Sequence, residues 1–339
     1  MVSYLIVLLD KNSTSFCYYK NDSYLKSKSE LISFELLEEI IIYAIKNYIT
    51  LNFLYGNQQL PENYEKLIDS IDHEKIFPIK LNQVFTDGIF VINDDEIDLV
   101  HSLKENEEIN LILRLPKDDL PILSETVNSL LGKFKRLNLS ILDIESFTEQ
   151  DLEMYEKQLK IIGEKVPELY QSGRSFELNF MSDRLNLTKM NNCDAGIKHL
   201  TIAPNGKLYI CPGFYYDNED DCIGDLVDGI NIKNQRLLTL DYSPICRICD
   251  SYHCKRCIYL NNKTTLEINT PSHQQCMLSH LERNSTINLL SLLNSSKKNV
   301  EHAVSIPDID YLDPIDILEE KQKERLNLYL KEKKNSNSI

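Results

Sequence analysis

The chain has 339 residues, of which 42% are hydrophobic and 26% charged, a composition typical of a soluble globular protein with one or two domains. Its net charge of -15 excludes the basic surface with which proteins bind a phosphate backbone, so we expect no nucleic-acid partner. Charged residues interrupt every apolar run well before the roughly 18 residues of a membrane span, and the first residues lack the features of a signal peptide. We therefore expect a cytoplasmic protein with no membrane partner.

Strands and helices alternate through the first half of the chain. Strands are predicted at 4–9, 51–55, 76–81, 88–92, 109–115, 137–144 and 176–180, and helices at 34–49, 61–71, 95–103, 120–131 and 149–170. This alternation predicts an α/β fold with a parallel sheet, either an open doubly wound layer or part of a β/α barrel. We expect Pro167 to end or kink the last of these helices.

The second half of the chain has a different pattern. The dipeptide Asn205-Gly206 between two apolar runs predicts a β-hairpin with a type I′ turn, which delivers Cys211. Residues 277–293 have a helical pattern, 294–313 that of a linker, and 316–334 that of a charge-rich helix. We therefore predict three parts: a β/α domain at 1–185, a cysteine-rich domain at 186–293, and a linker with a charged helix at 294–339.

Eight of the nine cysteines lie in the second part, four of them within the run CRICDSYHCKRC. A Cys-x2-Cys pair brings two thiolates to the same ion or cluster, and in a reducing compartment metal ligands are favoured over disulfides. Eight thiolates suffice for two sites of four ligands. The predicted metal ligands are Cys193, Cys211, Cys222, Cys246, Cys249, Cys254, Cys257 and Cys276.

The spacing of these cysteines resembles that of the SPASM domain, the carboxy-terminal module of radical SAM enzymes that modify peptides and proteins. Cys193-x12-Gly206-x4-Cys211 matches the first half of the family signature. In the block from Cys246 to Cys257, two spacings are four and two residues, where the family has five and three.

The resemblance implies two auxiliary 4Fe–4S clusters. One would be held by Cys246, Cys249, Cys254 and Cys276, and three irons of the other by Cys193, Cys211 and Cys257. Cys222 is the candidate for the fourth ligand of the second cluster. If that iron is open instead, a substrate thiolate could bind it. The spacing also resembles that of zinc knuckles, so two zinc sites in a protein-interaction module without a redox role are the alternative.

The first half resembles a radical SAM domain that has lost its cofactor site, which implies a partial or degenerate TIM-like barrel. Where the family has Cys-x3-Cys-x2-Cys after the first strand, this chain has Ser13-x3-Cys17-x2-Lys20. Where the family has Gly-Gly-Glu after the second strand, this chain has Tyr55-Gly56-Asn57. We therefore do not expect S-adenosylmethionine as a cofactor.

The run CRICDSYHCKRCIYLNNKTTLEINTPSHQQC, the following MLSHLERNS and the opening YLIVLLD and SFCYY are similar to the CXXX repeat peptide maturase family. That family is associated with precursor peptides bearing a cysteine every fourth residue, and with a separate, intact radical SAM maturase. The resemblance implies an iron–sulfur protein of ribosomal peptide maturation, with both molecules as partners. Whether the chain is itself catalytic stays open, and no catalytic residue is identified.

Overall fold

A single sheet of eleven strands runs through the described part of the computed structural model, which comprises residues 2–21, 30–81, 88–103, 109–131, 134–171 and 176–295, with Glu324 and Leu328. Its strands are β1 (Tyr4–Leu8), β2 (Thr50–Leu54), β3 (His73–Pro78), β4 (Ile89–Asn93), β5 (Asn110–Leu115), β6 (Arg136–Ile141), β7 (Glu177–Leu178), β8 (His199–Ile202), β9 (Lys207–Tyr209), β10 (Gly224–Asp225) and β11 (Gly229–Ile230).

The strands β1 to β7 lie side by side in chain order and are parallel. On its other side β1 pairs in parallel with β8, so the cysteine-rich part continues the sheet of the first half. The strands β9 to β11 then follow in antiparallel pairs. The predicted α/β fold with a parallel sheet is confirmed. The order is sequential, whereas a doubly wound sheet reverses its order at a switch point.

Nine α-helices lie in the described residues: α1 (Phe34–Asn47), α2 (Glu62–Ile68), α3 (Ile97–His101), α4 (Leu123–Leu130), α5 (Glu149–Gln171), α6 (Asp183–Asn186), α7 (Pro212–Asp217), α8 (Ile258–Thr265) and α9 (His273–Ser295). The ends of α1 show why a helix forms there. The hydroxyl of Ser33 accepts a hydrogen bond from the backbone N–H of Leu36, and Tyr48 ends the helix in the left-handed conformation.

The two faces of the sheet have separate apolar cores, because successive side chains of a strand point to opposite sides. Leu5 and Val7 of β1 belong to the large core that includes α1, α4, α5 and α9. Ile6 and Leu8 belong to a smaller core on the other face, which contains neighbouring strand residues and side chains from the region around β9 and α7. The cysteine-rich part contacts both faces, with α9 on the first and Tyr209 and Tyr215 on the second.

Pro167 does not end the helix, as one form of the prediction had it, since α5 continues through it to Gln171. A proline inside a helix removes one backbone hydrogen bond. The apolar stripe of α5, including Leu159, Ile162 and Val166, is fully buried, and α9 packs against this helix. This burial offsets the lost hydrogen bond.

The predicted hairpin forms between β8 and β9, but its turn is not of type I′. That turn needs positive φ at both central residues, and only Gly206 has it, with φ +76°. Instead, a loop of three residues lies between Ala203 and Lys207, with the N–H of Gly206 donating to the carbonyl of Ala203. Pro204 lies in this loop, where its fixed φ suits a type I turn followed by a left-handed residue.

Beyond Ser295, the predicted linker and charge-rich helix lie outside the described residues, except for Glu324 and Leu328. Within the described residues, no helix combines the length and the apolar character needed to cross a membrane.

Replacing two glycines by alanine should change stability in opposite directions. Gly206→Ala should destabilise the protein by about 1–2 kcal/mol, because a Cβ is disfavoured at positive φ while its nearest contact, 3.7 Å from Leu36, is ordinary. The matched control is Gly163→Ala in α5, where an added methyl group also meets its nearest neighbour at 3.7 Å, and which should stabilise by roughly 0.5–1 kcal/mol. Urea unfolding midpoints measure both, and shifts of the same sign would contradict this assignment.

Candidate metal centre

Four of the predicted ligands lie in one group, here called site A: Cys246, which is buried, and Cys249, Cys254 and Cys276, which are half-buried. Cys246 begins a short 3-10 helix, and Cys276 lies in the first turn of α9. Burial raises the pKa of the Cys276 thiol, and the charges of Cys254, Cys246 and Cys249 raise it further. The pKa of Cys246 is raised to about 12, again by burial and then by Cys254. These thiols lie close enough to affect each other's protonation.

Backbone N–H groups point at two sulfurs of site A. The N–H of Ser251 donates to Sγ of Cys249 at 3.4 Å, and that of Arg256 donates to Sγ of Cys254 at 3.4 Å. Each donor lies two residues after its cysteine, so the local turn aims the N–H. Hydrogen bonds to sulfur are one of the means by which proteins stabilise thiolates and set cluster potentials.

The other three predicted ligands that the fold brings together are Cys193, Cys211 and Cys257, here called site B. Cys193 precedes β8, Cys211 precedes α7, and Cys257 caps α8, where its sulfur accepts from the N–H of Leu260 at 3.5 Å. Burial raises the pKa of Cys257 to about 12, and the charge of Cys193 adds to this effect. The backbone N–H of Cys193 donates to the carbonyl of Lys255 at 2.9 Å, which ties the two chain segments together.

Cys222 does not join site B. Its side chain is exposed, and its charge acts on Lys207 and Tyr209 of β9. The thiol that does lie with site B is the half-buried Cys17, from the loop after β1, whose pKa is raised by desolvation and by the charges of Cys257 and Cys193. Sequence reasoning missed this neighbour because its only local signal, a position after the first strand, had been assigned to a lost S-adenosylmethionine site.

A buried arginine lies between the two sites. Arg256 is 1% exposed, and its guanidinium donates to Oδ1 of Asn192 at 2.9 Å and to Oγ of Ser243 at 2.8 Å. Burial lowers its pKa, while Cys246 and Cys254 of site A and Cys193 of site B oppose that effect. Its positive charge therefore compensates negative charge at both sites.

Two further arginines, Arg184 and Arg283, are buried at Asp250, next to Cys249. Arg283 donates two hydrogen bonds to Oδ2 of Asp250, at 3.2 and 2.9 Å, and Arg184 donates to its backbone carbonyl at 2.7 Å. These hydrogen bonds fix Asp250, and with it the segment between Cys249 and Cys254, the second and third ligands of site A.

The histidines near the cysteines have different surroundings. Nε2 of His253 lies 3.0 Å from Oε2 of Glu282, whose other oxygen accepts from the Tyr155 hydroxyl at 2.8 Å. His280 lies beside Cys249, with 3.8 Å between Nε2 and Sγ. Nε2 of His199 lies 3.6 Å from Sγ of Cys193. These last two imidazoles contact site A and site B respectively.

A small cavity of about 30 Å³ lies between the two sites, enough room for about one water molecule. Its wall includes Cys254 from site A and Cys257 from site B, together with Tyr18, His253 and Glu282. One thiol of each site therefore faces the same small cavity.

Structural contacts occupy the place of a first-half cofactor site. Ser13 is buried, and its hydroxyl donates to the carbonyl of Leu54 at 2.8 Å. Lys20 forms an ion pair with Asp143. A methyl group on Gly56 would lie 3.2 Å from the carbonyl oxygen of Asn12, so the turn after β2 packs directly on the loop after β1.

Aromatic side chains cover the face of the sheet that carries the smaller apolar core. Phe16 packs against the apolar core of that face, and Tyr19 stacks on Tyr216 with 5.5 Å between ring centroids. Arg114 of β5 donates to the carbonyl of Tyr19 at 3.3 Å. The loop after β1 thus folds back across this face.

The thiols of both sites suit an iron–sulfur cluster. In a cubane each thiolate binds a different iron, so the sulfurs need not converge on one point. Four thiolates around zinc, by contrast, stand roughly 3.8 Å apart at a Zn–S distance of about 2.3 Å. Among the described residues, no three His, Cys, Asp or Glu side chains are arranged to hold a single metal ion. This arrangement does not favour the zinc alternative.

No protein-family model matches the chain, and no curated protein matches it. Several solved structures do match the chain. The chain is 13% identical to a histidine-tagged form of anSMEcpe with bound AdoMet, with a TM-score of 0.59, over 86% of this chain and 96% of that one. Native anSMEcpe with bound AdoMet and Cp18Cys peptide gives 13% identity and a TM-score of 0.57, over 86% and 99%. The complex with Kp18Cys peptide gives the same values. The chain therefore has the fold of these radical SAM-like neighbours.

Acidification should destabilise the protein through two buried histidines. Burial lowers the pKa of His199 and of His280 from 6.5 to about 4. Between those values the unfolded chain binds protons at these positions that the folded chain does not, so stability falls as the pH falls. Urea unfolding of the metal-free protein at about pH 7 and about pH 5.5 measures the effect. The double variant His199→Gln, His280→Gln should show a smaller loss, and an equal loss would contradict this reading.

Proposed function

We propose that this chain is an iron–sulfur protein of ribosomal peptide maturation, which binds or presents a cysteine-repeat (CXXX) precursor peptide while a radical SAM partner supplies the radical chemistry. The observation that carries the proposal is the gathering of distant cysteines into two thiol groups within a fold like that of anSMEcpe. Such grouping of thiols is expected of ligands and is not expected of isolated buried cysteines.

The proposed clusters are of the 4Fe–4S type, one at each site. Site A would supply four thiolates, and Cys193, Cys211 and Cys257 of site B would supply three. When bound, such clusters supply one-electron chemistry and iron that binds sulfur. Arg256, buried between the sites, would stabilise the negative thiolates.

Several features of the chain support a SPASM-type module. The hairpin β8–β9 delivers Cys211, and the second Cys-x2-Cys pair divides between the sites, since Cys254 belongs to site A and Cys257 to site B. The proposed module spans 186–293, after a degenerate β/α barrel domain at 1–185, with a linker and charged helix at 294–339. Because β8 pairs with β1, the two proposed domains share one sheet.

The contacts of the first half support the proposal that a partner protein, and not this chain, carries out the radical chemistry. The residues at the positions of the missing ligands are engaged elsewhere: Ser13 with Leu54, and Lys20 with Asp143. A cluster that cleaves S-adenosylmethionine needs three thiolates and an open iron, and this loop has one cysteine. We propose that the chain does not use S-adenosylmethionine and that a separate radical SAM maturase does.

A peptide substrate is proposed from the family resemblance and from the neighbours, two of which contain a bound peptide. Cysteines at every fourth residue would line one face of a helix. A cytoplasmic location fits free thiols in both molecules.

Metal analysis tests the proposal against the zinc alternative. Protein purified without oxygen should be brown and carry about eight irons, four per cubane. The variant Cys276→Ala removes a ligand of site A and should lose about four of them. Met277→Ala, the next residue on α9, is the matched control and should keep all of them. A colourless protein with about two zinc ions would overturn the proposal.

Peptide binding tests the proposed substrate. The metal-loaded protein should bind a synthetic peptide with a cysteine every fourth residue, as measured by fluorescence anisotropy without oxygen. A peptide of the same composition with a cysteine every second residue should bind at least tenfold more weakly, because its successive thiols point to opposite faces of a helix. Equal binding of the two peptides would contradict recognition of the repeat.

A further inference from the structure

We propose that Cys17, in the loop after β1, is the fourth thiolate of site B, in place of Cys222. Site B would then consist of Cys17, Cys193, Cys211 and Cys257. This inference rests on the proposed function only in treating site B as a metal site, and it names the protein ligand that completes it.

The loop after β1 is built to carry Cys17 back across the sheet. Its first turn is fixed by Ser13, whose hydroxyl donates to Leu54, and by the N–H of Thr14, which donates to the carbonyl of Tyr55 at 2.8 Å. The two residues that flank the Cys17–Tyr18 pair are then anchored, Phe16 in the apolar core of the sheet and Tyr19 against Tyr216. Cys17 is thereby held in the interior.

All four thiols contact the same apolar cluster. This cluster consists of Tyr19, Ala195, Ile210, Phe214, Leu238, Ile258 and Tyr259, and Cys17, Cys193, Cys211 and Cys257 pack against it. Cys17 therefore reaches the surroundings of the other three from a different part of the chain. The adjacent Tyr18 lines the cavity that Cys257 also lines, which places the loop beside site B by a second contact.

The mutual influence of the thiols agrees with this geometry. Burial raises the pKa of Cys211, and the charges of Cys257, Cys17 and Cys193 raise it further. These are the other three members of the proposed site, so the four thiols are neighbours in space.

Cys222 has none of these features. It follows the acidic run DNEDD, its side chain is exposed, and the nearby Asn218 hydrogen-bonds to Asp221 at 3.0 Å. Its charged neighbours lie on β9 and not in the cysteine groups. A cluster ligand at this position would be exposed to solvent.

The assignment determines what site B can bind. With four protein thiolates, each iron of a cubane has a protein ligand, so no iron is left open for a thiolate of the precursor. The first half of the chain would also contribute directly to a metal site of the second half. Metal loading would thus tie the β1 loop to the cysteine-rich part.

Serine replacements distinguish the two cysteines. Loaded Cys17→Ser should show a lowered iron content and an altered electron paramagnetic resonance spectrum of one reduced cluster, as should Cys193→Ser, the positive control within site B. Cys222→Ser should match the unsubstituted protein. The unchanged signal of the site A cluster reports in the same sample that the chain is folded. If Cys17→Ser matches the unsubstituted protein, or if Cys222→Ser matches Cys193→Ser, the inference is wrong.

A second measurement needs no variant. Alkylation of the loaded protein under native conditions, mapped by mass spectrometry, should label Cys222 and leave Cys17 unlabelled. Labelled Cys17 with protected Cys222 would overturn the inference. A protein that carries zinc instead of iron would defeat the proposed clusters, yet loss of zinc in Cys17→Ser and its retention in Cys222→Ser would still assign the ligand.

Discussion

The pairing of β1 with both β2 and β8 is the constraint on which the rest of the structure depends. It joins the amino-terminal strands to the cysteine-rich part in one hydrogen-bonded sheet. It also fixes both ends of β1 relative to the cysteines: at the start of the strand Tyr4 stacks on His199, with ring centroids 4.7 Å apart, and His199 touches Cys193. From the other end, the loop with Cys17 returns across the sheet. Neither half could place its thiols without the other.

Charge compensation is the second requirement, because so many thiols are buried together. Three almost completely buried arginines lie in or beside the cysteine-rich part, and two of them are fixed by Asp250. The third, Arg256, has positive φ and hydrogen bonds to three different segments, among them the carbonyl of Leu238. A buried guanidinium is costly unless it is satisfied. Its position between the two sites is therefore a specific feature of this chain, where anionic clusters would offset the cost.

The sequence predicted the parallel α/β sheet and the hairpin, because alternation and turn residues are local signals. It also placed Cys222 next to an acidic, solvated run, and that surrounding is what the structure shows. It did not predict the partner of Cys17, since the return of the β1 loop depends on Phe16 and Tyr19 finding surfaces that distant strands create. Pro167 was misjudged for a similar reason, because α9, more than a hundred residues later, stabilises the helix that contains it. The spacing of cysteines shows which ligands lie together within one segment of the chain. Which segments come together in space depends on the fold.

The division of the second Cys-x2-Cys pair between the two sites connects these points to function. Cys254 belongs to site A and Cys257 to site B, and the backbone between them carries Lys255 and Arg256. Two clusters held by one short segment would lie close together, with the cavity lined by Cys254 and Cys257 between them. Short separation favours electron exchange between clusters, and burial keeps solvent from them. Under the proposed function, two such clusters beside a first-half loop that is occupied by structural contacts would relay electrons, or hold a peptide, for a partner that generates the radical.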